Sequence, residues 1–313
     1  MLDIYTIVSE NIPIPNGCRN SIPAIPFNNK LLRFIYTCAF DSLYEVVLHS
    51  FNISNIFKNF IQEHENENLF FKTICLHAAK KLSYKTLLCN RAQLIYPYLT
   101  LEKREARNSL VDCYSNPISL LHAIFKEDFC GSTKLITCDQ CRTKKLVNCL
   151  FVEIPATILL ETFKSKDIPS LAEWILMTLE YEGNCRKCKG IDVRTVHEVT
   201  SYIVIDVENL FQQNISVNSS DIPLEIEFKD YSLKLSGIVC FTPGHYISYL
   251  YSENNWEMRD DLKNNLIQKE QFKNLKISSL FYIRSDNQVS TFYYITSEAI
   301  LFIMLIFFRA RKS

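Results

Sequence analysis

Apolar positions in the first part of the chain recur at helical spacing. Over residues 38–51 they lie three or four residues apart, as on one face of an α-helix. The same period predicts three more helices, over residues 69–89, 116–129 and 168–181. Asn116 followed by Pro117 is typical of a helix start, and Asp167 is the candidate cap of the last helix.

Beyond residue 200 the pattern changes to a period of two. Alternating or continuously apolar runs predict strands over residues 201–206, 224–228, 233–241, 246–251 and 281–283. Helices that precede a set of strands separated by short turns favour an α+β fold with an antiparallel sheet. We therefore expect one domain over residues 31–285.

The two ends of the chain differ from this domain. Residues 1–30 carry four prolines and predict an extended arm that packs on the domain. Residues 286–313 form a hydrophobic tail with an unbroken apolar run over 299–308. A membrane-spanning helix needs about 20 apolar residues, and extension back to residue 292 includes Glu298. A divergent tail or weak membrane contact is therefore favoured over an anchor through residues 292–313.

Composition narrows the function classes. Lys+Arg and Asp+Glu both number 34, so the net charge of zero argues against a nucleic-acid partner. The six glycines are too widely spaced for a G-x-G-x-x-G or a P-loop motif, and no organic cofactor is expected. The chain has twelve cysteines, and its N-terminus does not resemble a secretory signal. They predict reduced thiols in a cytoplasmic or nuclear protein.

Two C-x-x-C pairs suggest a metal site. Cys138 with Cys141, and Cys185 with Cys188, each place two thiols on a tight turn. Together they predict one structural Zn²⁺ held by four thiolates, with no open position for catalysis. Residues 142–184 exceed the usual ribbon spacing of roughly 15–20 residues, so a subdomain must fold between the pairs. The alternative is that one pair is incidental.

Three other positions suggest nucleophilic catalysis. Cys38 begins a predicted helix, where amide dipoles favour a thiolate. His245 follows a Pro-Gly turn and opens an aromatic strand, and Asp260, with Asp261 as the runner-up, could orient its ring. Each has a plainer interpretation, as a core cysteine, a turn histidine and solvated acids. The catalytic hypothesis depends on all of them together.

In this order, the motifs resemble those of the ubiquitin-specific proteases. The resemblance covers residues 33–283. It includes the cysteine box around Cys38 and the two C-x-x-C pairs, which are called knuckles below. It also includes the Gly-His-Tyr box at residues 244–246, and Trp256 four positions before Asp260. It implies a papain-like hand with a thumb over about 31–130, zinc-bearing antiparallel β fingers over about 131–200, and a palm over about 201–285. It also implies Cys38, His245 and Asp260 as the triad.

The chain departs from this family at several positions. Arg33 replaces the asparagine that the family carries five residues before the nucleophile, and Arg259 replaces an aromatic residue before the acid. Asp41, three residues after Cys38, and the segment 260–263 resemble instead the branch that cleaves SUMO. The resemblance thus implies a thiol isopeptidase that releases ubiquitin or a ubiquitin-like modifier. A SUMO-specific isopeptidase and an inactive modifier-binding protein are the alternatives.

Overall fold

The computed structural model describes residues 5–9, 13–100, 103, 109–153, 170–208, 216–229, 231–263 and 266–285. Helices dominate the first part of this region and antiparallel strands the second, so the predicted α+β class is confirmed. No described helix is long and apolar enough to cross a bilayer. The tail at residues 286–313, with its predicted membrane behaviour, lies outside the described residues.

The described α-helices match the predicted ones in place more than in extent, except for a helix at Asn55–Glu63 that was not predicted. They are α1 (Cys38–Ile53), α2 (Asn55–Glu63), α3 (Leu69–Ala78), α4 (Tyr84–Ile95), α5 (Pro117–Phe125) and α6 (Leu171–Leu179). The single helix predicted over residues 69–89 is wrong. Lys80 adopts φ 55°, which ends the first helix, and the Ser83 hydroxyl caps the next.

Local chemistry explains two other helix starts. The Asn116 side chain accepts hydrogen bonds from the amides of Ile118 and Ser119, as the Asn-Pro signal predicts. The N-cap of α6 is Ser170, which forms a reciprocal capping box with Glu173. Asp167, the predicted cap, lies outside the described residues.

The described strands form three sheets. They are β1 (Ile25–Phe27), β2 (Lys30–Ile35), β3 (Leu110–Asp112), β4 (Ser132–Cys138), β5 (Thr143–Cys149), β6 (Phe151–Glu153), β7 (Glu180–Asn184), β8 (Ile191–Val199), β9 (Tyr202–Asp206), β10 (Glu225–Phe228), β11 (Tyr231–Thr242), β12 (His245–Ser252), β13 (Asn255–Arg259), β14 (Ile267–Lys269) and β15 (Ile277–Arg284). The large sheet has the order β14-β13-β12-β11-β15-β9-β6, with β10 beside β11. The small sheets are β1-β2-β3 and β5-β4-β8-β7.

The large sheet is buried on both faces. Because side chains alternate along a strand, Val239 and Phe281 join the core formed with the helices. Their neighbours Ile238 and Leu280 join a second core on the opposite face, to which α6 contributes Trp174. Helix α1 packs on β11 and β12 and is buried along nearly its whole length. This packing brings the start of α1 to the start of β12.

Candidate functional site

The first candidate residue, Cys38, begins α1 and is 2% exposed. Tyr36, two residues earlier, adopts φ 56°, a left-handed conformation that turns the chain from β2 into the helix. Thr37 is the N-cap, but its hydroxyl donates to Asp41 Oδ2 at 2.6 Å and accepts no hydrogen bond from an amide of the helix. The first turn of α1 is therefore tied to its own buried carboxylate.

His245 and the two acids come together at one end of the large sheet. Gly244, at φ 77°, makes the turn that returns the chain into β12 at His245. The acids follow the neighbouring strand β13. His245 Nε2 lies 3.0 Å from Asp260 Oδ1, to which it is hydrogen bonded, and 3.2 Å from Asp261 Oδ1. The structure thus places both candidate acids against one imidazole nitrogen.

The thiol of Cys38 accepts a hydrogen bond from the backbone N–H of Tyr246, the residue that follows His245 in the chain. Burial raises the pKa of Cys38 to about 12, and the carboxyl groups of Asp261 and Asp41 add to the effect. Two backbone hydrogen bonds oppose it without reversing it. The lowering expected from the helix N-terminus is therefore outweighed by burial, and the thiol is neutral at rest.

The two adjacent acids differ sharply in their electrostatics. Although burial opposes it, hydrogen bonds from His245, Lys263 and the Leu262 amide hold the pKa of Asp260 well below its usual range. Burial raises the pKa of Asp261 well above the usual range, and Asp41 adds to this increase. Asp260 is therefore the ionised partner of the imidazole.

The proline-rich arm packs into this site. The Asn16 side-chain amide donates to Asp261 Oδ2 at 2.9 Å, and the Gly17 amide donates to the Thr37 hydroxyl at 3.0 Å. The Arg33 guanidinium donates to the carbonyls of Gly17 and Arg19. Arg33 thus holds the arm, a role that its place near the cysteine box did not indicate.

A buried ion pair supports the network below the thiol. Arg91 on α4 donates to Asp41 Oδ1 at 2.7 Å and to the Pro15 carbonyl at 3.1 Å. Sequence reasoning missed both Arg91 and Asn16. Arg91 lies within a helix pattern with no local motif, and an Asn-Gly pair in a proline-rich segment predicts only a turn.

The four knuckle cysteines meet at the tip of the small four-stranded sheet. Cys138 Sγ lies 3.6 Å from Cys188 Sγ, and Cys141 Sγ lies 3.7 Å from Cys185 Sγ. All four sulfur atoms lie within 4.8 Å of one another. Zn–S bonds of about 2.3 Å in a tetrahedron put sulfur atoms about 3.8 Å apart, so the cluster has the size of a zinc cage.

The two knuckles share a backbone feature. The residue after the second cysteine is left-handed in both, with φ 53° at Arg142 and φ 66° at Lys189. A hydrogen bond with the Thr143 hydroxyl lowers the pKa of Cys141 to about 6, and backbone amides lower that of Cys185. Although a backbone hydrogen bond with Gly190 opposes it, burial and the neighbouring thiols raise the pKa of Cys188 to about 12. The shifts of Cys141 and Cys185 favour the thiolate form that binds metal, and that of Cys188 does not.

Comparison with known proteins gives remote similarities. No protein-family model matches the chain. It is 20% identical, over an alignment of 263 residues, to a 120.7 kDa protein in the NOF-FB transposable element of Drosophila melanogaster. The match covers 77% of this chain and 24% of that protein.

Two solved structures are also similar to this chain. The papain-like protease of MERS coronavirus has a TM-score of 0.44 and 10% identity, covering 85% of this chain and 69% of the protease. The SAGA Ubp8/Sgf11/Sus1/Sgf73 DUB module has a TM-score of 0.47 and 14% identity, covering 90% of this chain and 70% of the matched chain.

Proposed function

We propose that this chain is a thiol isopeptidase that removes ubiquitin or a ubiquitin-like modifier from proteins. The supporting observation is the meeting of Cys38, at the start of α1, with the start of β12, where His245 is hydrogen bonded to Asp260. A thiol, an imidazole and an orienting carboxylate are the groups required for acyl transfer through a thioester.

The proposed reaction begins with proton transfer, because the thiol is neutral at rest. His245 takes the proton from Cys38 Sγ as the sulfur attacks the carbonyl carbon of the isopeptide bond, and Asp260 stabilises the imidazolium. The C–N bond then breaks, and His245 returns the proton to the departing lysine amine. Water, activated by the same imidazole, hydrolyses the thioester and restores the thiol. The backbone amide of Cys38 is the proposed oxyanion donor.

We propose that Cys138, Cys141, Cys185 and Cys188 hold one structural Zn²⁺. The sulfur spacing and the four-thiol donor set support this assignment. The metal would cross-link the ends of β4 and β7 to the turns that lead into β5 and β8, and it takes no part in the reaction.

The alternative function is binding of a modifier without cleavage. Cys38 is 2% exposed, and Arg33 binds arm carbonyls where the resembled family has an oxyanion asparagine. Asp41 and the Asp-Asp pair, in turn, are the sequence features that favour SUMO as the modifier. The probe experiment below separates these cases.

The decisive experiment treats the purified chain with ubiquitin and with SUMO, each carrying a C-terminal electrophile. We expect a covalent adduct on Cys38 with one of them, located by mass spectrometry and absent from Cys38→Ala. Cys18→Ala is the matched control, because this half-buried thiol accepts a hydrogen bond from the Tyr36 amide and lies near Arg33. Binding of either probe without an adduct would establish the non-cleaving alternative, and an adduct that survives Cys38→Ala would refute the proposed nucleophile.

A further inference from the structure

Positive charge is concentrated at the tip of the small four-stranded sheet, where the two knuckles meet. We call this surface, residues 138–145 and 185–190, the fingertip. Its exposed cations are Arg142, Lys144, Lys145, Arg186, Lys187 and Lys189. Against these six cations it has one carboxylate, that of Asp139, so its net charge is +5 in a chain whose net charge is zero. The zero is therefore an average that conceals a local basic surface.

The fingertip charges are not neutralised within the described part of the chain. None of the six side chains forms an ion pair with a described residue, whereas Arg194, farther along β8, pairs with Asp192 at 3.0 Å. The two turns lie side by side, since their cysteine sulfur atoms are within 4.8 Å of one another. The proposed Zn²⁺ with four thiolates has a charge of −2 and would leave the fingertip at +3. The cations therefore repel one another unless an external anion lies against them.

Structural roles account for only part of this charge. Lys144 and Lys145 lie on β5, an edge strand of the sheet, where lysines commonly discourage pairing with another chain. The other four cations lie on the turns. Arg142 and Lys189 have equivalent places after the second cysteine of each knuckle, in a left-handed conformation that Gly or Asn adopts at lower cost. The turns thus carry cations where the backbone favours other residue types.

We propose that the fingertip binds the phosphate backbone of a nucleic acid without reading its base sequence. Phosphates follow one another about every 3.4 Å along a strand, and Lys or Arg side chains that neutralise them release condensed counterions. The fingertip has no aromatic residue on which a base could stack. Apart from the cysteines and Gly190 its residues are polar or charged, and the exposed apolar residues that adjoin it in sequence are Leu146 and Ile191. It therefore lacks the apolar core of a protein–protein interface, which makes an acidic protein the less favoured partner.

The experiment measures binding of the full chain to fluorescein-labelled strands by fluorescence anisotropy. The probes are single-stranded RNA, single-stranded DNA and duplex DNA, each of about 20 nucleotides or base pairs, between about 50 and 200 mM salt. We expect affinity that falls steeply with salt. If all six cations neutralise phosphates, the slope of log K against log salt concentration should be about −4 for single strands and about −5 for the duplex. The probe with the highest affinity identifies the kind of nucleic acid.

Two sets of substitutions locate the binding surface. Arg186→Gln/Lys187→Gln removes two turn cations without changing a cysteine, and it should weaken binding about tenfold or more near 0.1 M salt. It should also reduce the size of the salt slope by about 1.5. The matched control is Lys80→Gln/Lys81→Gln, which removes two exposed lysines, one of them left-handed, between α3 and α4. The control should change the affinity by less than about twofold, and both variants should keep the wild-type urea midpoint and zinc content.

Three results would overturn the proposal. They are absence of binding to all three strands at low salt, wild-type affinity in Arg186→Gln/Lys187→Gln, and an equal loss in the control variant. Competition with polyglutamate provides a further test. If it displaces the labelled strand as well as an unlabelled strand of equal total charge does, the fingertip binds acidic protein segments and the nucleic-acid assignment is wrong. These measurements do not use Cys38 or His245, so they decide the fingertip even if the proposed isopeptidase function fails.

Discussion

Arg259 Nη1 lies 2.6 Å from Glu45 Oε2, and this ion pair joins the end of β13 to the middle of α1. The Glu45 side chain is buried, and its Oε1 also accepts a hydrogen bond from the Ile14 amide of the arm. The pair therefore connects helix, sheet and arm immediately before Asp260.

Arg259→Met should destabilise the protein by about 3–5 kcal/mol, because it leaves Glu45 buried without its cation. Glu45→Gln should cost less, since Arg259 retains Glu257 at 2.6 Å. Burial already raises the pKa of Glu45 against the opposing effect of Arg259, and the substitution raises it further. The deficit of Arg259→Met, measured by urea unfolding, should therefore grow as the pH rises from 5 to 8. A deficit independent of pH would show that removal of Arg259 does not raise the pKa of Glu45.

Asp260→Asn should lower stability at neutral pH, because the carboxylate loses charge-assisted hydrogen bonds from His245 and Lys263. The lowered pKa of Asp260 means that its stabilisation is present above the unfolded-state pKa of about 3.9 and is lost as the pH falls below it. The difference from wild type should shrink in acid. The exposed Asp128 provides the control, and an equal effect of Asp128→Asn would contradict this explanation.

Purified protein should contain about one zinc per chain by elemental analysis, and Cys185→Ser should lose the metal and unfold or aggregate. Zinc binding contributes about 10–16 kcal/mol in zinc-finger peptides near pH 7, so its loss is not easily offset. Cys89→Ser, at a half-buried thiol on α4, should keep both metal and fold. A metal-free chain that unfolds cooperatively at the wild-type midpoint would refute the zinc assignment.

Gly17→Ala should detach the arm, because a Cβ at this position would lie 1.7 Å from the Phe34 carbonyl oxygen. We expect a loss of about 1–3 kcal/mol and faster proteolysis near Gly17. Gly183→Ala is the matched control, since its Cβ would meet only side-chain atoms, at 3.1 Å or more. Unchanged proteolysis in Gly17→Ala would show that the arm does not depend on this close approach.

Local sequence patterns determined several of the helices and the candidate functional motifs of this protein. Helix α1 and the Asn116 cap follow from apolar spacing and from a side chain that bonds amides two and three residues away. The Cys, His and Asp motifs and the two knuckles could also be identified from the sequence, because turn residues and metal-ligand spacing extend over only a few residues. The break between α3 and α4 at Lys80 could not, because Ala79, Lys80 and Lys81 are favourable helix residues and carry no stop signal.

Tertiary structure alone decided how these motifs are joined. Asn16 reaches Asp261 across 245 positions, Arg91 reaches Asp41 across 50, and Arg259 reaches Glu45 across 214. The period of a helix or strand shows which face is buried but not which polar group it will meet there. That choice depends on how the helices and the arm dock on the large sheet, where each buried charge must find a partner. The division of roles between Asp260 and Asp261, adjacent and identical in sequence, arises from that docking.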